Sequence, residues 1–154
     1  MTQTPQDRVK LAYEAYSQLV LQAMVNYVEG DPRVDRMWVY TDMSYEAIET
    51  SPFFRFEARM VNHGEIGQLD SSREYDPWGL LDAIDMDVEQ ELVQACREAG
   101  AVPERIITVY NVDTGELDSQ WDYEGVLQGE DDTHGRAMDR WIRSMGGQPI
   151  YAAE

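Results

Sequence analysis

The carboxylate is the reactive group this chain has in excess. Asp and Glu number 30 against 12 Lys and Arg, with two histidines and one cysteine in 154 residues. Two carboxylates in different environments across a cleft can run acid–base hydrolysis. The adjoining pairs here, Asp85 with Asp87 and Asp131 with Asp132, are sequence neighbours of the kind that arise by chance in so acidic a chain. Asn111-Val112-Asp113-Thr114-Gly115 begins like a calcium loop. Glycine takes the place of a third ligand, however, and no bidentate Glu follows in register. A hairpin turn fits those residues better. His63 and His134 fall in different elements, outside any His-x-x-x-His spacing, and a single cysteine excludes a zinc knuckle. Cys96 lies on the apolar stripe of a helix, where a buried inert thiol is expected. Gly146-Gly147 follows a helix instead of opening one, so it is no phosphate loop. The expectation is a non-enzyme with no catalytic residue, no metal and no cofactor.

A net charge of −18 repels nucleic acid and anionic membranes, and leaves basic proteins, cations or plain solubility. Trp38, Trp121 and Trp141 fit core positions. Trp78, in Asp76-Pro77-Trp78-Gly79, reads either as a hinge packed on the core or as an exposed anchor for a partner. The acidity is uneven. Asp70–Glu91 carries eight acids and one base, Arg73; Val112–Asp139 carries nine acids and one base, Arg136. Within the second window Glu116, Asp118, Gln120 and Asp122 alternate with Leu117, Ser119, Trp121 and Tyr123. A strand period of two puts the first set on one face and the second against the core. The carboxylate ladder is either a solvated face that discourages edge pairing or a face for a basic partner.

The elements that must position these residues follow from pattern. Thr4-Pro5-Gln6-Asp7 starts a helix. Val9, Tyr13, Tyr16, Val20, Met24 and Tyr27 share its face, and Gly30-Asp31-Pro32 stops it. Val34–Met43 reads as a strand at least partly covered on both faces. Phe53–Asn62 reads as a half-buried strand, with Phe54, Phe56, Ala58 and Met60 inward and Arg55, Glu57 and Arg59 outward. Asn62-His63-Gly64 then turns into a short strand, Glu65–Leu69. A loop through Trp78 leads to a second helix, with Asp87 and Gln90 as its capping box, Val88, Leu92, Cys96 and Ala99 as its stripe, and Gly100 as its stop. Arg105–Tyr110, the Asp113-Thr114-Gly115 turn and Glu116–Tyr123 make a hairpin. A last helix starts near Asp132 and carries Ala137, Met138, Trp141, Ile142 and Met145. The fold class expected is α+β, a single domain over 1–154: an antiparallel sheet of about five strands with helices packed on one face, in the order α-β-β-β-α-β-β-α.

Several segments together carry a family resemblance. They are Arg36-Met37-Trp38-Val39-Tyr40 after an amphipathic helix, Ile106-Ile107-Thr108-Val109-Tyr110, the Asp113-Thr114-Gly115-Glu116-Leu117 turn, Trp121-Asp122-Tyr123-Glu124, and a final helix with Arg140-Trp141-Ile142 ending at Gly146-Gly147. In order and spacing this resembles the YezG-like immunity proteins of polymorphic and LXG-type bacterial toxins, over most of Val9–Gly147. The resemblance implies a bacterial antitoxin, a cytoplasmic inhibitor that binds the basic catalytic domain of a cognate toxin, often a nuclease. The charge map nominates the contacts: Glu116, Asp118 and Asp122 as the electrostatic face, Glu124, Glu130, Asp131 and Asp132 beside it, and Trp78 as an anchor.

Three other readings compete. An acidic secretion or folding chaperone of the type III kind has a similar element order, but needs an apolar groove and an isologous dimer face. An enzyme holding a divalent cation on its acidic loops is the second, and an acidic domain built for solubility the third. A lone cysteine, the lack of an ~18-residue apolar span and the absence of a signal-peptide pattern in Met1–Asp7 favour the cytoplasm. A monomer or weak dimer is expected, with a toxin as partner and neither nucleic acid nor membrane.

Overall fold

A capping box starts the chain's first helix in the computed structural model, which describes residues 3–43 and 48–150. Thr4 Oγ1 accepts the Asp7 N–H at 3.0 Å, and the Asp7 carboxylate accepts the Thr4 N–H at 3.1 Å. From there α1 runs Pro5–Tyr27, and Gly30, at φ +66°, sits in the turn behind it. The strands β1 (Val34–Asp42), β2 (Glu49–Phe56) and β3 (Arg59–Asn62) follow. Three helices come next: α2 (His63–Leu69), α3 (Pro77–Asp82) and α4 (Met86–Ala99). The hairpin β4 (Arg105–Asn111) and β5 (Leu117–Asp122) and the helix α5 (His134–Ser144) complete the order. One antiparallel five-stranded sheet results, in the order β3-β2-β1-β4-β5. The α+β class and the antiparallel sheet of five strands are as the sequence reading expects.

Both faces of that sheet are covered, which differs from the expected single helical layer. Met37 and Val39 of β1, Phe54 of β2 and Ile106 of β4 pack with Tyr16, Val20 and Met24 of α1 and Leu92 and Cys96 of α4. Trp38, Tyr40, Phe53, Met60 and Ile107 point the other way and pack with Met138 and Ile142 of α5. The Trp141 ring lies 5.2 Å from both Tyr40 and Phe53. Strands carrying apolar side chains on alternate sides cannot leave either side in water, so α5 crosses to the second face.

Two local expectations are corrected. Phe53–Asn62 is a hairpin and not one strand. The chain reverses at Glu57-Ala58, both left-handed at φ +49° and +68°, so that Phe56 pairs with Arg59. The reversal keeps Phe54 and Phe56 toward α1 but sends Met60 to the α5 side with Phe53. Nor is Glu65–Leu69 a strand; it belongs to α2. Asn62 Oδ1 accepts the Gly64 and Glu65 N–H groups, each at 2.8 Å, and the Glu65 carboxylate accepts the Asn62 N–H at 3.0 Å. This reciprocal cap starts a helix where strand propensity alone reads extended chain. The Trp78 loop likewise begins α3, with Asp76 capping and Pro77 in the first turn. The cap of α4 is Asp85, not Asp87, and Gly100 ends the helix at φ +81° as expected.

Two polar clusters tie the layers together. In the first, the Tyr16 hydroxyl lies 2.8 Å from both Thr41 Oγ1 and Thr50 Oγ1, and Thr50 donates to Glu89 at 2.7 Å. In the second, the buried Asp31 and Asp70 carboxylates share Arg33, whose Nη2 reaches them at 2.6 and 2.8 Å. Arg73 adds a bond to Asp31 at 2.8 Å, and Tyr75 donates to Asp70 at 2.9 Å. Bonds from Ser72, Tyr75 and Arg33 hold the Asp70 carboxyl well below the usual range. Burial, together with its bond to Asp70, pushes the Tyr75 hydroxyl up to about 12.

Tyr16→Phe leaves the buried Thr41 hydroxyl without this partner and should cost ~1–3 kcal/mol in urea unfolding. Burial raises the Glu89 carboxyl pKa, so its ionised form weakens the fold as pH climbs past the ordinary glutamate value. Glu89→Gln should therefore be more stable than the parent at pH 7. Thermal unfolding followed down to pH 3 should show that gain vanish once Glu89 is protonated.

Candidate functional site

The acidic hairpin is set by its turn. Asn111 Oδ1 accepts the N–H groups of Asp113 (3.0 Å) and Thr114 (3.2 Å), and the Gly115 N–H reaches the Asn111 carbonyl at 2.8 Å. Gly115 is left-handed at φ +76°, a conformation that favours glycine. The register that follows puts Asp118 opposite Val109, Gln120 opposite Ile107 and Asp122 opposite Arg105. Ile107 and Val109 belong to the α5 side, so the carboxylate ladder shares that side. On the reverse side Trp121 meets Tyr13 edge to face at 5.1 Å. Leu117 and Tyr123 are 44% and 52% exposed. The expected core face of this strand is therefore realised at Trp121 alone, because β5 is the sheet's edge and lies beyond most of the helical layer.

The structure divides the nominated acids into two groups. Arg105 Nε donates to Asp122 at 2.8 Å, while its guanidinium lies 5.7 Å from the Tyr40 ring centre. Arg140 holds Asp132 through Nη1 at 2.9 Å and Nη2 at 2.5 Å, and its Nη2 also reaches the Val126 carbonyl at 3.0 Å. These bonds pin the loop before α5 onto α5. The Arg140 guanidinium holds the Asp132 carboxyl well below the usual range, helped by the Gln128 N–H. Asp122 and Asp132 are thus internal clamps. Glu116, Asp118, Glu124, Glu130 and Asp131 are exposed, and no ion pair reaches them among the described residues. Arg136 comes near this group only through the Asp131 backbone carbonyl, at 2.9 Å.

Trp78 does not join them. It sits on α3, which packs on α1 on the opposite side of the sheet, and it is 76% exposed. That exposure removes the reading of a hinge packed on the core. Met86, at the start of α4, is 73% exposed and was not singled out by the sequence reading.

A pocket of about 340 Å³ lies where the sheet meets the start of α5, lined by Tyr40, Asp42, Glu49, Ser51, His134 and Met138 among others. His134 Nδ1 lies 3.7 Å from Asp42 Oδ2. Sequence reasoning missed this pocket, since its two walls are far apart in the chain and share no motif. Among the described residues no group of three or more His, Cys, Asp or Glu side chains could hold a metal ion. No helix of the described residues is long and apolar enough to cross a membrane. No protein-family model matches the chain, and no curated protein matches it.

Asp132, with its lowered pKa, adds stability above the ordinary aspartate range and loses it as pH falls through the folded-state value. Asp132→Asn should therefore melt below the parent at pH 7, with the two melting temperatures converging on acidification.

Proposed function

We propose that the protein is an immunity protein. It binds the basic catalytic domain of a cognate bacterial toxin, a nuclease, and keeps that domain from its substrate. The observation that carries this reading is the surplus of exposed carboxylates, Glu116, Asp118, Glu124, Glu130 and Asp131, which no ion pair reaches among the described residues. A nuclease surface carries Arg and Lys to hold phosphates. Carboxylates set at a matching spacing can take those cations in charge-assisted bonds and occlude the surface. The mutual repulsion of the ladder, a cost in the free protein, is relieved in the complex. Long-range attraction also speeds encounter with a cationic domain.

In this reading the chain does no chemistry. Asp122 and Asp132 act from within: Arg105–Asp122 ties β5 to β4, and Arg140–Asp132 ties the preceding loop to α5. They set where the free acids stand and are not themselves contacts. Trp78, on the other side of the sheet, belongs to a separate surface.

The test reverses charge only at free acids. Glu116→Lys with Asp118→Lys leaves both arginine clamps intact. The double variant should keep the parent circular dichroism yet associate with the toxin domain at least ~tenfold more slowly at low salt. It should also fail to protect cells that express the basic domain encoded beside its own gene. Undiminished protection by the double variant would remove this face from the function.

A further inference from the structure

The two edges of the sheet are treated differently. At one end β3 is four residues long and runs straight into α2, which packs beside β2 and β3. At the other end β5 spans Leu117–Asp122 and packs against β4. The Asn111 N–H to Glu116 carbonyl bond, 2.9 Å, sets the alternation along this last pair. Residues at the even positions 116 to 122 exchange backbone bonds with β4, while Leu117, Ser119 and Trp121 turn their N–H and C=O groups outward. All the residues from Leu117 to Gln120 are exposed.

We propose that β5 is a docking edge for an extended segment of a basic partner, which adds a sixth strand to the sheet. This deepens the immunity reading and rests on it for the partner's identity, since it names how the cationic protein is held. The charge pattern selects the occupant. In an added strand the hydrogen-bonded positions fall at Leu117, Ser119 and Trp121. The positions beside Asp118 and Gln120 are then non-hydrogen-bonded, where side chains approach most closely. Lys or Arg at those positions meets Asp118, with Glu116 one step along on the same side. The intervening residues lie beside Leu117, Ser119 and Trp121 and can be apolar or hydroxylated. A second copy of this chain is a poor occupant, because its own β5 brings another acidic ladder and no cation to the joint.

The test uses the full chain and a short synthetic peptide in which lysine alternates with valine, followed by backbone amide NMR. The peptide should slow amide exchange at Leu117, Ser119 and Trp121 and shift their signals. The same peptide with glutamate for lysine should do neither. Ser119→Pro removes an outward N–H that the β4 ladder does not use, so the fold should persist while peptide affinity drops roughly tenfold. Ser119→Ala loses the same hydroxyl contact to Trp121 but keeps the N–H, and should bind like the parent. Should Ser119→Pro fail to fold, N-methylation of the peptide's valines removes the same bonds from the other side and must abolish binding to the parent.

Equal affinity for Ser119→Pro and the parent overturns the proposal. So do signal shifts confined to other elements, retained binding of the N-methylated peptide, or a dimer of the free chain that Ser119→Pro dissolves. The outcome is separable from the immunity reading. Loss of the lysine-peptide effect with intact toxin protection rejects the added strand alone; a peptide effect without protection rejects the toxin.

Discussion

The strand β1 is buried on both faces, and the rest of the architecture answers to that. Trp38 and Tyr40 face one way, Met37, Val39 and Thr41 the other, and each of these five side chains is nearly inaccessible to water. A central strand of this kind requires a layer on each side. The first layer comes from α1 and α4, whose ends are further joined by Arg8 and Glu98 at 3.3 Å. Among the described elements the second centres on α5, whose Trp141 spreads across Tyr40 and Phe53. One helix cannot cover five strands. The margin it leaves uncovered, toward β5, is where the acidic ladder stands.

The placement of the arginines decides which carboxylates are paired within the fold. Arg33 and Arg73 are occupied by Asp31 and Asp70, Arg55 by Asp35, Arg105 by Asp122 and Arg140 by Asp132. Several of these pairs bridge segments that no backbone ladder connects. The Arg33–Asp70 bond joins the turn after α1 to the end of α2, and the Arg140–Asp132 bond folds a loop onto α5. Removing one partner of such a pair would strand the other in partial burial, which costs more than the pair contributes. Each of these arginines is taken up by a carboxylate of the fold.

Much of the fold can be read in the chain because its cues are local. Thr4-Pro5-Gln6-Asp7, Gly100 and Asp113-Thr114-Gly115 act through atoms three or four residues apart, and each does what its type predicts. The misreadings are local too, where two cues compete. Asn62-His63-Gly64-Glu65 satisfies a helix cap, but its apolar neighbours read as strand. Glu57-Ala58 holds a left-handed turn that no glycine announces, and the reversal sends Met60 to the other face.

The excess of carboxylates, the two acidic windows and the alternation along Glu116–Tyr123 are properties of the sequence alone, since formal charge and strand period need no partner. Which carboxylates remain free is a property of the tertiary structure. Arg105 reaches Asp122 across a hairpin, Arg140 reaches Asp132 over a helical turn and a loop, and Trp78 is carried to the far side of the sheet by α3. Ion pairing and exposure depend on distances between side chains that the chain brings together only when it folds, and those distances separate a structural clamp from an available contact.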